Sequence, residues 1–128
     1  MTPTRNRKNI RLHKFDYSSS GFYFITICTQ NRIPYFGNIN DGQLEHNLLG
    51  TIAGQCLNEI PNHFKEARID ESIIMPNHVH AIIHLSNVGD AYMHPLSTVV
   101  QNYKASVTRK IKGERIHPEF SWQRSYYD

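Results

Sequence analysis

Met75-Pro76-Asn77-His78-Val79-His80-Ala81-Ile82-Ile83-His84-Leu85 is the stretch on which the fold turns. Side chains along a strand alternate between its faces, and here Val79, Ala81, Ile83 and Leu85 fall on one side while His78, His80 and His84 fall on the other. The first side reads as a core face and the second as a working face. Residues 69–75 read as a second strand, and Pro76-Asn77 is the break between them, so the two form a hairpin.

Working outward, residues 22–29 are β-branched or aromatic almost throughout and predict a buried strand. A loop is expected around Pro34, Gly37 and Asn40-Asp41-Gly42. Leu48, Ile52, Cys56 and Ile60 then recur at four-residue spacing and predict a helix that Pro61 ends or redirects. Residues 86–96 read as a mobile loop near the substrate. Ser97 is placed to cap a second helix, whose apolar stripe is Val100, Tyr103, Val107 and Ile111 and which Gly113 is placed to stop. Phe120-Ser121-Trp122 predicts an edge strand. The order strand, helix, strand, strand, helix, strand predicts an α+β fold. Its form is a ferredoxin-like (RRM-like) antiparallel sheet with helices on one face and the histidine strand at its centre.

A chain of 128 residues, 39% hydrophobic and 11% aromatic, has the length for one domain and the composition of a folded one. Residues 1–128 are therefore expected to form a single domain preceded by a basic arm over about residues 1–14. No apolar run approaches the roughly 20 residues of a membrane span, and no signal-peptide core follows the basic start. A cytoplasmic protein with no membrane partner is expected. Two separated cysteines, Cys28 and Cys56, read as reduced core residues.

The formal charge is +3, unevenly distributed. Arg5, Arg7, Lys8, Arg11 and Lys14 form a run free of acids, and Lys104, Arg109, Lys110, Lys112 and Arg115 form a second basic group. A solvated tail accounts for the first group alone. The two together favour a phosphate-rich partner, nucleic acid above all.

Eight histidines make a chance His-x-His common, so the motif is weighed against other histidine chemistries. A histidine-triad hydrolase needs a third His where Ile82 stands. A zincin needs a His-Glu-x-x-His helix, which is missing, and a structural zinc site needs cysteines beside the histidines. What remains is a two-histidine, partly open site suited to a divalent ion that also holds a substrate oxygen.

Several segments read together resemble one family. They are Arg11-Leu12 with Lys14 and Asp16-Tyr17-Ser18, Tyr23 to Thr29, Asn31-Arg32 with Phe36-Gly37, Met75 to His80, Tyr103-Lys104-Ala105, and Trp122 to Asp128. The chain resembles the REP-associated tyrosine transposases, single-strand DNA transposases whose metal site is a His-hydrophobe-His motif, and the resemblance covers nearly its whole length. It implies that His78 and His80 hold Mg2+ or Mn2+. It implies a single-stranded DNA substrate positioned by a hairpin, cleaved and rejoined through a 5′-phosphotyrosine, with no small-molecule substrate. Monomers and homodimers both fit.

The family's nucleophilic tyrosine lies on a helix beyond the segment that ends here at Asp128. This departure leads to the expectation that the nucleophile helix is missing after residue 128, leaving Tyr126 and Tyr127 as the nearest tyrosines, in a segment that reads as structural and whose rings could stack on a base or close the sheet edge. Arg5, Arg7, Lys8, Arg11, Lys14, Lys104, Arg109 and Lys110 are the expected nucleic-acid contacts. His84 shares the face of the pair and reads as a surface histidine at the strand's end or as a third ligand. Two other classes stay open. One is a non-catalytic module that binds hairpin or single-stranded nucleic acid. The other is a phosphoesterase in which Asp70 or Glu71 activates water.

Overall fold

The computed structural model describes residues 20–87 and 93–127. The chain begins with β1 (Gly21–Cys28), then one 3-10 turn (Gln30–Arg32), β2 (Gly37–Asn40) and β3 (Gln43–His46). There follow α1 (Leu48–Asn58), a single turn α2 (Ile60–His63), β4 (Ala67–Met75), β5 (His78–Leu85) and α3 (Leu96–Glu114). The main sheet is antiparallel in the order β1-β5-β4, which puts the histidine strand at the centre as its sequence predicts. The C-terminal segment lies along the free edge of β1 through isolated pairings of Thr29 with Trp122 and of Thr26 with Tyr127. It occupies the place of the expected edge strand without forming a continuous one.

The alternation read from the sequence decides which face is covered. Tyr23, Ile25 and Ile27 of β1 and Val79, Ala81, Ile83 and Leu85 of β5 are buried against α1 and α3. The buried stripe of α3, including Val100, Tyr103, Val107 and Ile111, is the one its spacing predicts. Deep in the layer the Tyr103 hydroxyl donates to the Ala53 carbonyl of α1 at 2.9 Å. Both helices lie on one side, and Phe22, Phe24, Ile73 and His80 are exposed on the other.

Three local readings are corrected. Residues 37–46 are a hairpin and not a loop: Asp41 and Gly42 both take positive φ, 51° and 76°, the requirement of a tight hairpin turn. A side chain at Gly37 would overlap the Glu45 carbonyl, and one at Gly50 the Phe36 carbonyl, so these glycines let the hairpin close and α1 approach it. Ser97 lies inside α3, whose cap is Pro95, because proline fits the extended cap and a side-chain cap is not formed there. Gly113 does not stop α3: the helix runs to Glu114 and ends at Arg115 in the left-handed conformation. Cys28 and Cys56 are free and buried, as their separation suggests. The arm from Arg5 to Lys14 and the middle of the 86–96 loop lie outside the described residues.

Candidate metal and nucleic-acid site

His78 and His80 project from the central strand onto the open face, and their Nε2 atoms stand 3.0 Å apart. Each outward nitrogen is tied. His78 Nδ1 meets the Asn77 side-chain oxygen at 2.7 Å, and His80 Nδ1 meets Thr26 Oγ1 at 3.0 Å across the β1–β5 pairing.

The tie to His78 is itself held from behind. Asn31 and Arg32 both adopt left-handed φ, and this turn presents the Arg32 carbonyl to the Asn77 amide at 3.2 Å. With its NH2 group committed there, Asn77 turns its oxygen toward His78. His78 therefore donates through Nδ1 and keeps a lone pair on Nε2. The Asn77 backbone carbonyl accepts from the Thr29 amide at 3.0 Å and from its hydroxyl at 3.1 Å, fixing the hairpin turn against the end of β1.

His80 faces a hydroxyl, which either donates or accepts. When Thr26 donates, His80 carries its proton on Nε2 and gives it to His78, completing a relay from Thr26 to Asn77. When Thr26 accepts, both Nε2 lone pairs converge on one point. Two ligands in neighbouring positions of a six-coordinate ion at about 2.1 Å stand about 3.0 Å apart, so the spacing fits a shared divalent ion. Burial, then the neighbouring His80 and the Arg32 charge, hold His78 below the usual histidine range and favour the neutral form that a ligand needs. Among the described residues no third His, Cys, Asp or Glu joins the pair.

The other candidate residues are placed as follows. His84 lies at the far end of the same face, stacked on Phe22 with centroids 4.3 Å apart, and its Nδ1 accepts from Arg68 at 3.0 Å. That is about 13 Å along the strand from His80, too far for a shared ion. Asp70 sits in the bulge of β4, and Glu71 lies opposite Ile82 on the open face. Tyr126 is 7% exposed, turned into the core. Tyr127 pairs with Thr26 through two backbone hydrogen bonds, 2.7 and 2.8 Å, and so shares the histidine face. Its hydroxyl accepts from Gln123 at 3.0 Å.

Lys104 does not face outward with the rest of the basic group. Its ammonium donates to the carbonyls of Gln123 at 2.8 Å and Arg124 at 3.3 Å, and burial lowers its pKa. Trp122 returns the contact, its indole N–H donating to the Lys104 carbonyl at 3.2 Å. Lys110 pairs with Glu59 at 3.3 Å, while Arg109 lines a concavity of about 430 Å³ with Gln101, Thr108 and Trp122. Cys28 pairs with His78 in the register, but burial pushes its thiol up despite the opposing pull of Arg32, which makes it a poor nucleophile. Sequence reasoning missed Thr26, Asn77 and the inward task of Lys104. For Asn77 a signal existed, its place in the hairpin break directly before His78.

No protein-family model matches the chain. It is 38% identical to an uncharacterized protein of Haemophilus influenzae, in a match covering 96% of this chain and 77% of that one. Among solved structures it is similar to a REP-associated tyrosine transposase bound to a REP hairpin, with a TM-score of 0.61 and 18% identity. That likeness covers 91% of this chain, which spans 59% of the transposase's length. It is also similar to a candidate transposase of Deinococcus radiodurans, with a TM-score of 0.59 and 15% identity, covering 91% and 82% of the two chains. The fold is that of these transposases, and no helix among the described residues is long and apolar enough to cross a membrane.

Proposed function

We propose that this chain, which belongs to one family with the Haemophilus influenzae protein, is a metal-dependent transposase of the REP-associated tyrosine kind, acting on single-stranded DNA beside a hairpin. The observation that carries the reading is the convergence of the His78 and His80 Nε2 atoms at 3.0 Å on an open sheet face, each with its other nitrogen tied. Such buttressing of ligand orientation is a feature of metal sites and has no use in a face that only binds.

His78 and His80 would hold the ion, and two imidazoles favour a first-row transition ion such as Mn2+ over Mg2+. When bound, the ion supplies polarisation of a phosphoryl oxygen. The chain's own residues do the rest. Asn77 and Thr26 fix the two rings, and the rigid central strand fixes their spacing. A tyrosine attacks phosphorus, forming a phosphotyrosine bond as the 3′ oxygen leaves with a proton, and the reverse step rejoins the strand without a separate energy source. Of the two candidates in this chain, Tyr127 stands on the working face and Tyr126 is buried away from it.

The test is denaturing-gel detection of a covalent adduct with labelled DNA hairpins in Mn2+, run beside His78→Ala, Tyr126→Phe and Tyr127→Phe. An adduct abolished by His78→Ala and by Tyr127→Phe is expected. Hairpin binding without any adduct would replace this reading with that of a non-catalytic binding module. Steady turnover of a small nucleotide, lost in His80→Ala, would point instead to water as the nucleophile.

A further inference from the structure

The open face is apolar where solvent alone would ask for polar side chains. Phe22, Phe24 and Ile73 are 57%, 65% and 45% exposed on this face. The register aligns Phe22 with His84 and Arg68, then Phe24 with Ile82 and Glu71, then Thr26 with His80 and Ile73. Three successive rungs therefore run from the Arg68 guanidinium to the histidine pair.

Between the second and third rungs lies a hollow of about 520 Å³ lined by Phe24, Thr26, Glu71, Ile73, His80 and Ile82. That volume falls within the roughly 300–1,000 Å³ of small-ligand sites. Ile82 and Ile73 give the hollow apolar sides, and Phe24 gives it a flat aromatic ring. Glu71 brings a carboxylate, which repels phosphate and accepts N–H groups. A nucleobase has both the π face and the N–H donors that such a hollow takes, whereas a phosphate is better served at either end, by Arg68 or by the histidine pair.

We infer that this hollow is a nucleobase pocket, in which Phe24 stacks on a base of single-stranded DNA and Glu71 accepts a hydrogen from its exocyclic amino group. Cytosine, adenine and guanine carry that group and thymine lacks it. The inference rests on the nucleic-acid reading above and deepens it: the strand crosses the sheet from Arg68 toward His78 and His80, and one base beside the reacting phosphate is read by the protein.

The full chain is titrated by fluorescence anisotropy, without divalent ion, with a hairpin bearing a single-stranded flank of about eight nucleotides. Phe24→Ala should weaken binding about ten- to a hundredfold while leaving the thermal midpoint and the dependence of affinity on salt unchanged, since no phosphate contact is removed. One abasic position in the flank should cost the wild type the same factor and cost Phe24→Ala nothing further. Glu71→Gln should reduce the preference for an amino-bearing base at that position. If the wild type binds and Phe24→Ala binds equally well, the pocket is overturned and the nucleic-acid reading stands. If the wild type binds neither hairpin nor single strand, both fall. If Phe24→Ala leaves binding intact but converts a dimer to a monomer, or lowers the thermal midpoint, a second copy or the chain itself covers this face and the inference fails.

Discussion

Thr26 is the residue that ties His80 in place in either tautomer, because its hydroxyl can donate to Nδ1 or accept from it. Thr26→Val keeps the shape and the β-branching that suit a strand and removes only the hydroxyl. Loss of such a supporting partner costs about ten- to a hundredfold in metal affinity, and calorimetric titration with Mn2+ should show it without a change in fold. The same titration in the wild type has a defined acid limit. His78 lies below the ordinary histidine value of about 6.5, chiefly through burial, so it stays neutral to a lower pH than an exposed histidine. The contribution of His78 to ion binding should therefore persist below that value and decline only as pH falls through the lowered one. Little of this could be read beforehand. The alternation of β5 put His78 and His80 on one face and Asn77 adjoins His78, but Thr26 comes from β1 and the Arg32 carbonyl behind Asn77 from a left-handed turn, and no spacing in the sequence says what stands opposite a strand residue.

At the scale of elements, two motifs that lie apart in the sequence are one contact in the fold. Tyr103-Lys104-Ala105 sits on α3 and Trp122-Gln123-Arg124 on the C-terminal segment, and the reciprocal bonds of Lys104 and Trp122 join them. Gln123 in turn donates its amide to the Cys28 carbonyl at 2.9 Å, so α3 clamps the segment that runs beside β1. Lys104→Met should release this clamp. Hydrogen bonds from a charged donor contribute about 1.5–3 kcal/mol, so the amides of Gln123 and Tyr127 should exchange about ten- to a hundredfold faster, with β5 unaffected. Element positions were legible because hydrophobic periodicity is strong in β1, β5 and α3. The hairpin of β2 and β3 was not, since its strands are short and mostly exposed and only Asp41-Gly42 marks the turn. Helix ends were misplaced at Ser97 and Gly113 because a good capping residue one or two positions away from the true end leaves the same signature.

At the scale of the whole molecule, the sheet divides its labour. One face is closed by two helices and supplies the core, and the other carries the histidine pair, the hollow beside it and the exposed aromatics. This division follows from period-two alternation, which is why fold class and the face that carries the histidine pair were readable while the partners of the two rings were not. The pair is also assembled from distant parts of the chain: His80 and Thr26 are separated by 54 positions, and Asn77 and Arg32 by 45. A chain emerging from the ribosome makes β1 well before β5 and cannot orient either imidazole until the central strand has docked. Pulsed hydrogen exchange during refolding should accordingly find the amides of the paired Ile27 and Val79 protected in one step. Any chemistry of the pair would then begin only with the finished sheet, so that a half-made copy is inert.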